Sequence, residues 1–567
     1  MITPRRRTLG ALLAAAVVAL AILPAAAASA ATSYVPISGA GSSWSSNAIQ
    51  QWAVNVQQYG MRVNYASTGS SDGRNQFKAG TVDFAVSEIP YGITDGGVTD
   101  APPTVGYAYM PIVAGGTSFM YNLSAGGKQV TNLRLSGATL TGIFTGTITS
   151  WDDPKIKADN PGLDLPKRQI VPVVRSDGSG STAQFTTWMS KKYPSAWNAY
   201  CKQAGRPLPC GITSNYPVIP GKGFIAQPNS QGVSGYVAQK ANVGTITYVE
   251  YSYALKTGYP VAKILNKASY YVEPTASNVA VGLLAAKINQ NKASPQYLTQ
   301  ILDGVYDNPD PRAYPLSSYS YMIIPTSTAT NFTTAKGKTL GAFSNYFLCE
   351  GQQQAEVLGY SPLPINLVQA GLDQVKRIPG VVATAIDIKK CNNPTFSSDG
   401  TNTLAKNAPQ PSPCDKLGAT QCTTGTGGAK ASTPTQAGSS ASSSGSTGAV
   451  ASTTGSSTGT KATAGSTATA GATAAAGSGG TGSGTTGSGS GTGSASTVNA
   501  LGDGSPVQCD ADSGVCQNVA ALPVSVSASS GWTPRQSLMV GAVAALLGLV
   551  VVPPLVGLLL SRRRVRR

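Results

Sequence analysis

The sequence predicts an α/β fold with largely parallel sheets for the part of the chain between residues 33 and 395. Short apolar runs that are typical of strands alternate there with amphipathic stretches of helical period, and Gly-, Pro- and Ser-rich turn signals separate them. Only 11% of the 567 residues are charged and 7% are aromatic, which is low for a wholly globular chain. The fold is therefore expected to occupy only part of the molecule.

The predicted elements follow one another in strand–helix order, which favours parallel pairing. The strands are predicted at 34–38, 62–65, 82–86 and 170–174, and the helices at 45–59, 73–79 and 182–191. In the first helix, Ile49, Trp52 and Val56 recur on one face, as expected of a helix that packs against a core.

The N-terminus, residues 1–30, has the three parts of a secretory signal peptide. Arg5 to Arg7 supply the positive region, residues 9–23 the apolar region, and Ala28-Ser29-Ala30 the cleavage site. The alternative is a transmembrane anchor, which the short apolar run and the nearby cleavage site disfavour. No cysteine stands at the cleavage site, so the signal is not of the lipoprotein type.

A second apolar run, residues 538–560, is predicted to be a transmembrane helix. Its 23 charge-free residues span roughly 35 Å as a helix, which is enough to cross a bilayer. The arginines in the tail at 561–567 are expected to stay in the cytoplasm, so the protein is a single-pass cell-membrane protein with its bulk outside. The alternative is a sorting signal that is later cleaved, although no LPxTG-like motif is present.

Residues 396–530 are predicted to be a disordered linker. From 423 to 500 the chain consists almost entirely of Gly, Ser, Thr and Ala, and Lys430 and Lys461 are its only charges. Such a segment buries too little apolar surface to offset its ordering entropy. A coil of about 100 residues has an end-to-end distance of roughly 55 Å, so it serves as a flexible tether.

The eight cysteines predict disulfides, because their number is even and the chain is exported. Pairing between sequence neighbours is the simplest arrangement, although eight cysteines permit 105 pairings. A metal site is the alternative, which the absence of histidine and of C-x-x-C disfavours. No metal or cofactor is expected. The cysteines are Cys201, Cys210, Cys349, Cys391, Cys414, Cys422, Cys509 and Cys516.

The net charge of +17 does not indicate nucleic-acid binding. Three of the positive charges are Arg5 to Arg7 and five lie between 562 and 567, where they flank apolar segments. The remaining charge is spread along the chain without a basic run. We interpret it as a mildly cationic surface that attracts anions.

Three loops at strand-to-helix junctions predict an oxyanion site. Each offers hydroxyls and backbone N–H groups at the start of a helix, where unsatisfied donors and a partial positive charge favour an anion. The alternative for each loop is an ordinary N-cap and turn. Arg175 in the third loop adds a planar fork that binds two oxygens at once. The loops are GAGSSW (39–44), TGSSDG (68–73) and RSDGSGST (175–182).

Glu88 follows the strand predicted at 82–86, and a carboxylate there repels an anion unless the anion carries a proton. Phosphate carries a P–OH group at neutral pH, whereas sulfate does not. A site built around a ligand hydroxyl strongly rejects an analogue that lacks it. Glu88 therefore predicts a preference for phosphate, unless it is only an exposed glutamate at a strand end.

The chain resembles the periplasmic phosphate-binding proteins of phosphate ABC transporters. The resemblance covers nearly all of the globular part, in family order. It is carried by GAGSSWSS (39–46), STGSSDGRNQFKAGTVDFAVSEIP (67–90), LTGIFTGTITSWDDPKIKADNPG (140–162), VPVVRSDGSGST (171–182), QGVSGYVAQKANVGTITYVEYSYAL (231–255), AYPLSSYSYMIIPT (313–326) and EGQQQAEVLGYSPLP (350–364).

The resemblance implies a two-lobed, type II periplasmic-binding-protein-like fold that closes on its ligand about a hinge. The binding domain is then residues 31–395, with lobe I at about 33–110 and 305–395 and lobe II at about 111–304. Its implied function is to capture inorganic phosphate, as a monomer and without covalent chemistry, and to deliver it to the permease subunits of an ABC transporter.

The resemblance also implies a set of phosphate-binding residues. Ser43, Trp44, Glu88 and Ser181 stand where the family has Thr, Phe, Asp and Thr, and Asp177 matches an acid that orients the arginine. The tether and the membrane span also depart from the family, and they suggest an actinobacterial type of envelope. The implied ligands are Ser43, Trp44, Ser70, Glu88, Arg175, Ser179, Gly180 and Ser181.

Two other functions are weighed against transport. The lobes could instead form a cell-surface sensor or adhesion module that the tether projects through the wall. A phosphatase is disfavoured, because the chain has no histidine and no recognisable metal cluster.

Overall fold

The structure is a computed structural model that describes residues 33–381, 388, 391, 393–397 and 399–433. The predicted signal peptide, the predicted membrane span at 538–560 and the basic tail lie outside the described residues. Within the described ranges, no helix has the length and apolar character needed to cross a membrane.

Strands and helices alternate through most of the described chain. The strands are β1 Ile37–Gly41, β2 Val63–Ala66, β3 Phe84–Ser87, β4 Thr94–Asp95, β5 Val98–Thr99, β6 Tyr107–Asn122, β7 Ser124–Ala125, β8 Lys128–Gln129, β9 Arg134–Leu135, β10 Val171–Arg175, β11 Ile225–Gln227, β12 Thr245–Glu250, β13 Lys263–Leu265, β14 Tyr271–Val272, β15 Lys287–Ile288, β16 Gln300–Ile301 and β17 Ser317–Pro325. The helices are α1 Ser46–Asn55, α2 Ser70–Lys78, α3 Gly137–Phe144, α4 Pro154–Asp159, α5 Gly180–Lys192, α6 Pro194–Gln203, α7 Asn229–Val237, α8 Tyr251–Thr257, α9 Ala276–Leu283, α10 Asp303–Tyr306, α11 Thr334–Leu348, α12 Ile365–Val375 and α13 Thr403–Lys406.

Eight strands form one mixed sheet in the order β11-β10-β12-β6-β17-β3-β1-β2. Its two ends are parallel: β3, β1 and β2 form the first half-sheet, and β12, β10 and β11 form the second. The long strands β6 and β17 run antiparallel between them and join the halves. The predicted parallel pairing is therefore right for the two half-sheets, and the antiparallel centre differs from it.

The central strands are buried along almost their whole length. Every residue of β12 and β17 is buried, which explains why their sequences are nearly continuous apolar and hydroxyl runs rather than alternating ones. A continuous core covers both half-sheets and contains the fully buried Trp44, Trp52, Trp151 and Trp197.

All seven predicted elements are present, with boundaries that shift by up to three residues. The helix predicted at 45–59 is α1 followed by a 3-10 turn at Val56–Tyr59. Gly60 then ends it in a left-handed conformation, with φ of 80°, which favours glycine.

Three disulfides join cysteines that are neighbours in the sequence, as the simplest pairing predicts. They are Cys201–Cys210, Cys349–Cys391 and Cys414–Cys422. Cys509 and Cys516 lie outside the described residues.

Residues 399–433, named here the C-terminal strap, differ from the prediction of a disordered linker over 396–530. The strap contains the short helix α13, a 3-10 turn at Pro413–Asp415 and the disulfide Cys414–Cys422. The linker boundary at 396 is therefore wrong by more than thirty residues.

Buried polar groups of the domain hold the strap in place. Arg134, which is fully buried, donates from Nη1 to the carbonyl of Cys414 and from Nη2 to that of Ala419, both at 2.8 Å. Thr426 donates from Oγ1 to the carbonyl of Thr131 at 2.9 Å. Backbone carbonyls that are buried on folding need hydrogen-bond donors. Here the donors come from residues far away in the sequence, which the composition of the strap does not reveal.

Candidate anion site

The first predicted loop links β1 to α1 and is fixed by backbone contacts with its neighbours. Ser42 donates its N–H to the carbonyl of Val86 at 2.8 Å, and Gly69 donates to that of Gly41 at 2.8 Å. Gly41 has φ of 137°, and a Cβ atom there would lie 2.1 Å from the Val86 carbonyl oxygen. Only glycine fits this close approach.

The second and third loops meet each other across the two half-sheets. Ser71, in the first turn of α2, donates its N–H to the carbonyl of Gly178 at 3.0 Å. Gly180, the first residue of α5, donates its N–H to Ser70 Oγ at 3.1 Å. The starts of α2 and α5 therefore face the same small volume.

Ser179 and Ser181 flank Gly180 in this volume. Ser179 is the N-cap of α5, and its hydroxyl accepts from the N–H of Thr182 at 3.2 Å. The side chain of Ser179 thus acts as an ordinary N-cap, which is the alternative interpretation given above for these loops. The hydroxyl of Ser181 is buried and has no hydrogen-bond partner among the described residues.

Arg175 ends β10 and is held by an acid two residues further on. Its Nε donates to Asp177 Oδ1 at 2.7 Å, and its Nη2 donates to Asp177 Oδ2. Asp177 Oδ1 also accepts from the N–H of Asn229 at 2.9 Å. The two bonds to Asp177 leave Nη1 of Arg175 facing Ser230 Oγ at 3.4 Å, and the guanidinium is almost fully buried.

Glu88 is buried, with only 1% of its surface exposed, so it is not the exposed strand-end glutamate of the alternative interpretation. Its carboxylate accepts from Ser42 Oγ at 2.7 and 2.8 Å, from Ser70 Oγ at 2.9 Å and from Ser320 Oγ at 2.6 Å. Burial raises the pKa of Glu88, and the three hydroxyls oppose that change. The protonated form is therefore easier to reach than in an ordinary glutamate.

Glu88 comes unusually close to the start of α5. A Cβ atom on Gly180 would lie 1.8 Å from Glu88 Oε2 and 2.6 Å from Ser70 Oγ. Any side chain at 180 would displace the carboxylate, so glycine is required at this point. The contact also places Glu88 against both half-sheets.

Ser43 and Trp44 complete the first loop. Ser43 Oγ lies 2.9 Å from Ser230 Oγ and accepts from the N–H of Ser230 at 3.0 Å. Trp44 donates its N–H to Ser42 Oγ at 3.0 Å, and its ring packs edge-on against Tyr360. The structure thus brings all the predicted site residues to the loops where the two half-sheets meet, a region named here the seam.

Sequence reasoning missed three serine hydroxyls that contact the predicted residues: Ser42, Ser230 and Ser320. Ser42 lies within a predicted loop, where it is one serine among several. Ser230 follows Asn229 at the start of α7, the same polar helix start as in the three predicted loops, and this signal could have found it. Ser320 lies in a strand of alternating Ser and Tyr, where nothing in the sequence distinguishes it.

A cavity of about 370 Å³ lies beside this cluster. Glu88 and Gln184 line it, together with Lys191 and Asp303, which form an exposed ion pair of 2.6 Å. Gln184 Nε2 donates to the carbonyl of Glu88 at 3.0 Å. Glu88 therefore borders a cavity that exposed residues also line.

The family model that matches residues 25–350 is a PBP superfamily domain, and it covers more than half of the chain. The phosphate-binding protein PstS of Xylella fastidiosa is 32% identical over 342 residues, which are 60% of this chain and 84% of the relative. PstS of Haemophilus influenzae is 30% identical, with 60% and 92% covered. The chain belongs to the PstS family of phosphate-binding proteins within the PBP superfamily.

The chain is also similar to a further relative and to two solved structures. PstS 2 of Mycobacterium tuberculosis is 29% identical, over 57% of this chain and 82% of the relative. A high-affinity periplasmic phosphate-binding protein with bound phosphate has a TM-score of 0.47 and 18% identity, covering 62% of this chain and all of that one. A phosphate-binding protein from Stenotrophomonas maltophilia has a TM-score of 0.44 and 17% identity, with 59% and 92% covered.

Proposed function

We propose that this protein is an extracytoplasmic receptor that captures inorganic phosphate and delivers it to the permease of an ABC transporter. The observation that carries the proposal is the convergence of one guanidinium, several hydroxyls and one buried carboxylate at the seam between the half-sheets. Membership of the PstS family supports the same function.

The side chains at the seam match the chemistry of a protonated oxyanion. Arg175, held by Asp177, presents a positive charge without needing to reorganise. Ser43, Ser70 and the start of α5 supply neutral donors. The carboxylate of Glu88 accepts a hydrogen bond from the ligand, a contact that hydrogen phosphate makes and sulfate cannot.

The other predicted ligands belong to the loops at 39–44 and 175–182. The proposed set also includes the hydroxyls of Ser179 and Ser181 and the backbone N–H groups of Trp44 and Gly180, which in this structure donate to Ser42 Oγ and Ser70 Oγ. Because the donors come from both half-sheets, their joint contact with one anion favours closure of the two lobes around it. The cavity beside Glu88 then serves as the route by which phosphate enters and leaves.

The proposed organisation is a phosphate-binding domain at residues 31–395, with lobe I at about 33–110 and 305–395 and lobe II at about 111–304. Residues beyond the C-terminal strap act as the tether, and 538–560 anchor the chain in the cell membrane with the receptor outside. In this arrangement the anchor keeps a monomeric receptor near its transporter, so the effective concentration at the permease is high.

Calorimetric titration of the full chain in detergent tests the proposal, with sulfate as the matched control anion. We expect saturable 1:1 phosphate binding and sulfate binding at least about a hundredfold weaker. Loss of radioactive phosphate uptake in cells that lack the protein tests delivery to a transporter. Binding without any effect on uptake would favour a surface sensor, and an absence of binding would overturn the proposal.

A further inference from the structure

Ser230 lies between two of the residues proposed to bind phosphate and touches both. Its N–H donates to Ser43 Oγ at 3.0 Å, and its hydroxyl lies 2.9 Å from that same oxygen. Arg175 Nη1 donates to Ser230 Oγ at 3.4 Å. Ser43 follows a strand of the first half-sheet, whereas Arg175 ends a strand of the second, so Ser230 connects the two halves.

The position of Ser230 is set by the acid that also holds Arg175. Asn229, the first residue of α7, has φ of 57°, a left-handed conformation that asparagine tolerates better than most residues. Its N–H donates to Asp177 Oδ1 at 2.9 Å, next to the Arg175 Nε bond to the same oxygen. One carboxylate therefore fixes both the guanidinium and the helix start that carries Ser230.

Ser230 is fully buried, so water does not compete for its hydrogen bonds. A hydroxyl carries one proton and accepts up to two hydrogen bonds. The Arg175 bond occupies one acceptor position of Ser230, and the Ser230 N–H occupies one of Ser43. The two hydroxyls and the guanidinium thus form a hydrogen-bonded chain. The direction of each O–H bond depends on the group next to it in that chain.

We propose that Ser230 is a positioning residue for phosphate: it links Ser43 to Arg175 across the two half-sheets so that both present their donors to the anion together. This inference rests on the proposed phosphate function. Because the link joins the two half-sheets, it stabilises the closed, phosphate-bound state. Its loss therefore speeds phosphate release more than it slows phosphate capture.

The test compares S230A with S234A in the full chain, using phosphate titration and stopped-flow kinetics. Ser234 is a buried serine one turn further along the same helix, and its hydroxyl donates to the Ser230 carbonyl at 2.7 Å. We expect S230A to raise Kd about tenfold, mainly through a faster off-rate, because a buried hydrogen-bonding group is lost. S234A should change Kd by less than about twofold, since it removes a bond to the backbone carbonyl of Ser230 within the helix and no bond to the side chains of Ser43, Ser230 or Arg175.

A double-mutant cycle separates positioning from a general structural effect. The effects of S43A and S230A on Kd should be clearly non-additive, whereas those of S43A and S234A should add. S230G provides a second variant without the hydroxyl, should S230A fold poorly. If the wild type binds phosphate but S230A and S230G behave like S234A, or the cycle is additive, the inference is overturned and the proposed function stands. If the wild type does not bind, both are overturned.

Discussion

Two arginines make nearly the same local contact in different regions of the molecule. Arg175, in the candidate anion site, donates from Nε and Nη2 to Asp177, two residues ahead of it. Arg312 donates from the same two atoms to Asp310, two residues behind it. The third nitrogen differs: Nη1 of Arg175 faces Ser230, whereas Nη1 of Arg312 donates to strap carbonyls at 3.1 and 3.2 Å.

The difference lies in what surrounds each arginine. Around Arg175 the neighbours are hydroxyls and helix starts, groups that can donate hydrogen bonds to an anion. Around Arg312 the acceptors are backbone carbonyls of the C-terminal strap, which hold a segment of chain in place. An arginine–aspartate pair therefore does not by itself indicate a binding site, and the groups that face the remaining nitrogen decide its role.

The largest expected effect is that of R175A on phosphate binding. Removing a buried charge-assisted donor should cost about 3 kcal/mol, a loss of roughly two orders of magnitude in affinity. R312A is the matched control, because it removes the same kind of ion pair outside the site. Titration calorimetry should show weak or absent binding for R175A and near-normal binding for R312A. Equal losses in the two variants would contradict the distinction between the regions.

The loops of the candidate site were largely predictable from the sequence because they depend on local signals, whereas the individual ligand roles came from the family resemblance. A few neighbouring residues are enough to recognise glycine at 41, the serines at helix starts and the arginine at a strand end. The contacts of Ser320 were not predictable, because β17 reaches Glu88 only through the pairing of strands more than two hundred residues apart. The closeness of Glu88 to Gly180 depends in the same way on the joining of two half-sheets.

The C-terminal strap was not predictable from composition. Its sequence is rich in small and polar residues, and nothing local indicates that it packs. Its partners, Arg134 and Arg312, lie in distant parts of the chain, and the disulfide Cys414–Cys422 closes only a small loop within it. Tertiary contacts supply the free energy that local propensity lacks.

R134A should destabilise the fold while leaving the anion site intact. Arg134 is fully buried, donates to carbonyls of the strap and lies over the ring of Tyr271 at 4.5 Å. Its loss leaves those carbonyls without a partner and should lower the free energy of unfolding by about 2 to 3 kcal/mol. Chemical denaturation and limited proteolysis of the strap measure this. If R134A instead lost much of its phosphate affinity while its stability was unchanged, Arg134 would belong to the anion site and would not have the structural role assigned to it here.

E88Q should mainly change selectivity. Glutamine keeps the size of Glu88 but replaces the charged carboxylate, which only accepts, by a neutral amide that also donates hydrogen bonds and so no longer disfavours an anion without a P–OH group. The phosphate-over-sulfate ratio of affinities should fall by at least about tenfold, a change of about 1.4 kcal/mol. E350Q, at an exposed glutamate outside the site, is the control. If E88Q retains the wild-type ratio in competition titrations, Glu88 does not sense the proton of the anion.

The smallest expected effect is on the pH dependence of stability. Burial raises the pKa of Glu88 in the folded chain, so its protonated form contributes stability that is fully present below the ordinary glutamate pKa. This contribution is lost as the pH rises through the raised pKa of the folded chain. Glu250, also buried with its pKa raised well above the ordinary value, contributes with the same sign. Thermal unfolding of E88Q and E250Q from pH 4 to pH 8 should therefore show a smaller decline than the wild type in each case, and only E88Q should also change phosphate selectivity.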